Sequence, residues 1–140
     1  MHMNPYLLFD GRCEEAFKFY EKCLGGEIES ISRFEGSPMA QHVPAEWSGK
    51  VMHASLNLGG GVILMGSDPP PGRYQAPQGF SVSLGIKDPV ETERIFNELA
   101  QDGNVQMPVQ KTFWSERFGM VVDRFGIPWM LNCEQAAAHA

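Results

Sequence analysis

Val51–Met65 reads VMHASLNLGGGVILM, and its alternation decides the fold. In an extended segment, Met52, Ala54, Leu56 and Leu58 fall on one face, and Val51, His53, Ser55 and Asn57 fall on the other. One face is apolar enough for a core and the opposite face is largely polar. Gly59, Gly60 and Gly61 supply a turn, after which Val62–Met65 returns as a second strand. Upstream, Glu27–Phe34 is a third extended segment, and Glu35–Lys50 is an irregular stretch with room for a short helix. Before these, Cys13, Ala16, Phe17, Tyr20 and Leu24 recur at helical offsets and make one apolar stripe. Glu14 and Glu15 sit in the first turn of that helix, Lys22 in its last, and Gly25-Gly26 stops it. Pro5–Phe9 is a short strand in front. The order is strand, helix, strand, strand, strand.

The same order then repeats. Ser67–Gly79, SDPPPGRYQAPQG, carries too many Pro and Gly residues for a sheet and reads as a stiff connector. In the next strand Phe80, Val82, Leu84 and Ile86 alternate with Ser81, Ser83 and Gly85. Asp88-Pro89 opens a helix, with Glu91 in capping-box position and Thr92, Ile95, Phe96 and Leu99 as its buried stripe. Val105–Thr112, broken by Pro108, Phe118–Asp123 and Pro128–Cys133 follow as strands, and Asp123–Gly126 is a turn. The fold class is therefore α+β. Two tandem βαβββ modules, about 4–66 and 79–133 with the connector at 67–78, are expected to form a single domain over residues 1–140. The tail from Glu134 to Ala140 is expected to fray or to add a short Ala-rich helix.

Composition narrows the function classes. The 140 residues carry a net charge of -6, and the 11 Lys and Arg are scattered, which disfavours nucleic acid or an anionic membrane surface as a partner. No basic segment with a long apolar run stands at the N-terminus and no apolar stretch reaches membrane length, so a cytoplasmic location is expected. Cys13, Cys23 and Cys133 match no zinc or CxxC spacing and read as reduced thiols. No phosphate loop follows the glycine triplet, and no GxSxG elbow is present.

Three blocks carry a resemblance to a known family. PYLLFDGRCEEAFKFYEKCLGGEI (Pro5–Ile28) resembles the opening of a vicinal-oxygen-chelate module, the superfamily of glyoxalase I, bleomycin- and fosfomycin-resistance proteins and extradiol dioxygenases. HASLNLGGGVILMGSD (His53–Asp68) and TFWSERFGMVVDRFGIPWMLN (Thr112–Asn132) resemble its PhnB-like, demethylubiquinone-methyltransferase-like branch. The resemblance spans roughly Asn4–Cys133. It implies a curved, cup-like mixed sheet with the helices outside and a small-molecule cleft in the concavity. It also implies pairing of chains into a homodimer, to which the connector between Asp68 and Pro77 can contribute an exchange.

The metal sites of the superfamily map near Asn4 or Tyr6, Leu64, Ser81 and Met130. None of these is His, Asp or Glu, so the usual metal site is expected to be missing, and no cofactor is assigned. A divalent metal at a site rebuilt from His53 with Asp68 or Glu116 is the minority alternative. His2, His42 and His139 are expected to be solvated.

Within the cleft, His53 is the candidate acid–base group. Tyr6, Ser55, Asn57, Ser81 and Ser83 are expected to line the cleft, and Trp114 and Phe118 to stack on a planar ligand. Phe113 and Trp129 are expected in packing. Trp47 is a candidate anchor for the irregular loop. Glu116 and Arg117 are expected in a loop beside the aromatics. The residues leave three readings open: an enzyme acting on an oxygen-rich metabolite, a resistance-type protein that sequesters a ligand without chemistry, and a dimer with a vestigial cleft. Methyl transfer is disfavoured, because the chain lacks the doubly wound sheet with a glycine-rich first loop common among methyl-donor enzymes.

Overall fold

The structure, a computed structural model, describes residues 1–134, so the expectation for the tail beyond Glu134, including His139, lies outside the described residues. The elements follow the predicted order. The first module is β1 (Tyr6–Leu8), α1 (Cys13–Leu24), β2 (Glu27–Arg33), β3 (Val51–Asn57) and β4 (Ile63–Ser67). The second is β5 (Val82–Gly85), α2 (Pro89–Leu99), β6 (Asn104–Gln110), β7 (Ser115–Val122) and β8 (Pro128–Glu134). Each forms its own four-stranded mixed sheet, ordered β1-β4-β3-β2 and β5-β8-β7-β6. In each, the first strand lies parallel to the last and the other pairs are antiparallel. The chain divides into two compact units between Ala76 and Pro77, within the proline-rich connector.

One face of each sheet carries its helix. In the first module α1 packs on β2 and β3. Cys13, Ala16, Phe17, Tyr20 and Cys23 are buried there against Leu7, Phe9, Ala54, Leu56 and Leu64. Cys23, three residues after Tyr20, takes the place that the spacing assigns to Leu24. In the second module α2 packs on β7 and β8, with Ile95, Phe96 and Leu99 against Val121, Trp129 and Leu131. Glycine lets each helix approach closely. A Cβ on Gly66 of β4 would lie 2.8 Å from Phe17, and one on Gly119 of β7 would lie 2.7 Å from Phe96.

Several sequence expectations need correction. Val51 is buried with the apolar face because β3 holds a bulge: Arg33 pairs with Val51 but Ser32 pairs with His53, so Met52 is the extra residue and parity flips across it. β5 begins at Val82, leaving Phe80 half exposed and Ser81 just outside the strand. β7 begins at Ser115, so Glu116 and Arg117 lie in a strand and not in a loop, and Arg117 pairs with Glu93 of α2. Asp88 does cap α2, accepting from Val90 N at 3.1 Å, while Glu91 turns to Arg94 and does not close the capping box.

Two buried carboxylates tie loops to the sheets. Asp68, just after β4, accepts from Cys13 N at 3.0 Å and Val51 N at 3.1 Å, joining the start of α1 to β3. Burial pushes its carboxyl up, even though those backbone N–H groups favour the anion. Asp123, in the turn between β7 and β8, accepts from Phe125 N, Ile127 N and Trp129 Nε1 at 2.8, 3.0 and 2.8 Å. The irregular stretch after β2 contains two 3₁₀ turns, Pro38–His42 and Ala45–Trp47. The Trp47 ring lies on the Gly11 turn with the Lys50 ammonium 5.8 Å from its centroid, which pins the stretch down.

Candidate functional site

The open face of the first sheet, opposite α1, is built from residues that alternate with the buried ones. Leu7 is buried between exposed Tyr6 and Leu8, and Ala54 and Leu56 are buried around half-buried His53, Ser55 and Asn57. Register sets Tyr6, Met65, Ser55 and Ser30 side by side across all four strands. His53 lies opposite Ser32. The Tyr6 hydroxyl stands 3.1 Å from His53 Nδ1, with the rings 5.7 Å apart. Either the phenol donates to an unprotonated Nδ1 or an Nδ1–H donates to the phenol oxygen, so a proton can sit on either side of the contact. A second hydroxyl pair, Ser30 Oγ and Ser55 Oγ, is 3.1 Å apart. Asn57 is committed elsewhere: its Oδ1 accepts from Gly59 N in the glycine turn, and its Nδ2 donates to Glu29.

The open face of the second sheet has a different chemistry. One row across it is Ser83, Met130, Met120 and Met107, and the next is Gly85, Asn132, Phe118 and Gln110. Phe118 is nearly buried and Trp114 is about half exposed, with their rings 5.4 Å apart. Phe113, expected in packing, is 88% exposed and stands edge-on to Trp114 at 4.7 Å. Trp129 is fully buried as expected. Ser81 is half-buried and Ser83 exposed.

The two modules therefore bring together some of the expected residues. Tyr6, His53 and Ser55 share one face, and Trp114 touches Phe118 on another. Ser30, Asn132, Met107 and Met120 belong to these faces and were not singled out from sequence, and Met130 was named only as a mapped metal position. Strand register alone could have found them, because each pairs directly with a candidate residue or with the next in its row.

Two cavities are bordered by the starts of the helices. One of about 410 Å³ is lined by Gly11, Arg12, Lys18, Lys50 and Asp68 at the start of α1. Its cations are already engaged, Arg12 with Glu15, Lys18 with Glu14 and Lys50 with the Gly11 carbonyl. Another of about 640 Å³ is bordered by Gly85, Lys87, Pro89, Glu116 and Cys133. The Cys133 thiol is fully buried and donates to the Lys87 carbonyl.

The residues at the expected metal positions do not fit a hard divalent ion. Leu64 is buried against α1, Met130 offers a thioether, and Ser81 and Tyr6 offer neutral hydroxyls. Among the described residues no three His, Cys, Asp or Glu side chains come together. Asp68 is turned to the α1 side, where backbone N–H groups occupy it, away from His53.

The glyoxalase/bleomycin resistance protein/dioxygenase superfamily model matches residues 2–131. The chain belongs to that superfamily. Its relatives include protein YjdN of Escherichia coli, 36% identical over 140 residues, covering 94% of this chain and 95% of that one. Among solved structures, protein PA1353 from Pseudomonas aeruginosa is 47% identical with a TM-score of 0.87, covering 97% of this chain and 99% of its own. The PhnB protein from Bacillus cereus is 29% identical with a TM-score of 0.78, covering 95% and 99%. These neighbours place the superfamily member in its PhnB-like branch. No described helix is long and apolar enough to cross a membrane.

Proposed function

We propose that this PhnB-like protein binds a small oxygen-bearing molecule on the open face of its first sheet, with Tyr6 and His53 as the groups that hydrogen-bond it and exchange a proton with it. The observation that carries the reading is the 3.1 Å contact between two polar rings, 47 residues apart in sequence, on the face opposite α1. An imidazole can accept or return a proton, and the phenol oriented by it can donate to a ligand carbonyl or hydroxyl. Ser55 and Ser30 extend the same hydrogen-bonding row. The reaction class stays unassigned, and no step is routed through a metal. Sequestration without chemistry uses the same contacts and differs only in turnover. The protein is proposed to act in the cytoplasm as a homodimer, to be checked by light scattering as twice the chain mass.

The test is a ligand-observed NMR screen of catechols, α-hydroxy carbonyls and vicinal diols. The expected result is a hit whose affinity falls at least tenfold in both Tyr6→Phe and His53→Gln, with the far-UV spectrum of each variant unchanged. Hits that bind both variants as tightly as the parent protein would overturn the assignment of this face.

A further inference from the structure

The eight methionines are unevenly distributed over the fold. Met is a common gap-filler of cores, yet none is among the buried core residues described here. Met1, Met3 and Met39 are exposed, and Met52 is the bulge residue of β3. The remaining four lie on open sheet faces, and three of them form one row. Met107 of β6 pairs with Met120 of β7, which pairs with Met130 of β8. All three are half-buried, and Ser83 completes the row. Neither this row nor the adjacent Gly85, Asn132, Phe118 and Gln110 carries a charged side chain.

Adjacent strands stand about 4.8 Å apart, so the outer two of these methionines are separated by about 10 Å. A methionine side chain has three rotatable bonds. The two outer chains can therefore lean over the central one and bring three thioethers around a single atom. Thioether sulfur is a soft, uncharged donor that suits a soft monovalent cation and disfavours magnesium, calcium or manganese.

We propose that Met107, Met120 and Met130 form a thioether site for a monovalent d¹⁰ cation, copper(I) or its redox-stable surrogate silver(I). The site is independent of the Tyr6–His53 reading, which concerns the other sheet. It is also distinct from the superfamily's hard-metal chemistry, since no carboxylate or imidazole takes part. The thiols do not compete from the same face: Cys133 is fully buried and paired in register with Arg117, which reaches back to α2.

The experiment is a silver(I) titration of protein labelled with ¹³C at the methionine methyls, in chloride-free buffer. The methyl signals of Met107, Met120 and Met130 are expected to move together and saturate at one equivalent, while those of Met1, Met3 and Met39 stay in place. Met120→Leu, which conserves volume, is expected to weaken binding at least tenfold, read as a later response of the other two methyls. Silver taken up with no movement of the three signals would overturn the site. So would a response of Met107 and Met130 in Met120→Leu at the same silver concentration as in the parent protein.

Discussion

Replacing Asp123 by alanine removes an acceptor that three buried donors share. Asp123 is 3% exposed, with Oδ1 receiving Phe125 N and Ile127 N and Oδ2 receiving Trp129 Nε1. A buried donor left without a partner costs about 1–3 kcal/mol, and a bond to a charged acceptor contributes about 1.5–3 kcal/mol. The three losses are not additive, because water can enter the space left by the carboxylate. A total of about 4 kcal/mol follows. Asp123→Asn keeps the oxygen that faces the two backbone donors but turns an amide N–H toward the indole N–H, which sets the loss at about 2 kcal/mol. For a chain of this length about 3 °C of Tm corresponds to each kcal/mol, so the melts should fall by about 12 °C and about 6 °C. Urea unfolding followed by tryptophan fluorescence measures the same quantities, and the near-UV signal of Trp129 should change in both variants. A loss below about 1 kcal/mol for Asp123→Ala would refute the claim that this carboxylate organises the turn between β7 and β8.

Gly66→Ala should destabilise by about 1–3 kcal/mol, because the new methyl would meet Phe17 and the Leu7 carbonyl, both at 2.8 Å, whereas Gly49→Ala has nothing within 4 Å and should be near neutral; urea melts of the pair decide it. Cys13, Cys23 and Cys133 are at most 1% exposed, and burial with Asp68 nearby pushes the Cys13 thiol up, so a thiol reagent should titrate none in native protein and three after denaturation. Glu14 is held down to about 2 by the two-pronged Arg33 guanidinium and then by Lys18. Its folded value is depressed, so its contribution is present above the ordinary carboxylate value near 4.5 and is lost as pH falls toward 2. The pair is about a third exposed, which reduces its worth to about 1 kcal/mol, and the stability gap between parent and Glu14→Gln should close by that amount between pH 6 and pH 2.5. A gap that stays constant over that range would contradict the assignment.

The order of elements was legible because alternation and helical spacing are local properties. Cys13, Ala16, Phe17 and Tyr20 bury as their spacing demands, and Thr92, Ile95, Phe96 and Leu99 do the same. Parity across the bulge at Met52 was not legible, since one extra residue flips every later face and leaves no mark in composition. His53, Ser55 and Asn57 of β3 share a face by alternation, yet the contact on that face comes from β1, and only strand pairing places Tyr6 beside His53. Asp68 reads only as a possible recruit to a rebuilt metal site and Asp123 only as the start of a turn. Their burial follows from backbone N–H groups that the chain delivers from elsewhere, and that geometry is not written in either neighbourhood. The methionine row escaped notice for the same reason, its members being spread over three strands.

The strand order carries a consequence for how the chain is made. In each module the first strand pairs with the last, so Tyr6 waits for Met65 and Val82 waits for Trp129. Such parallel closure across a whole module costs loop entropy before any pairing returns it, and that slows folding. During vectorial synthesis the first sheet can form once Ser67 has left the ribosome, before β5 has emerged. The proline-rich stretch then acts as a pause between two folding events. A released chain ending within Asp68–Pro77 should already form the complete first sheet, while one ending before Ile63 should leave β1 as an unpaired edge, open to the wrong partner.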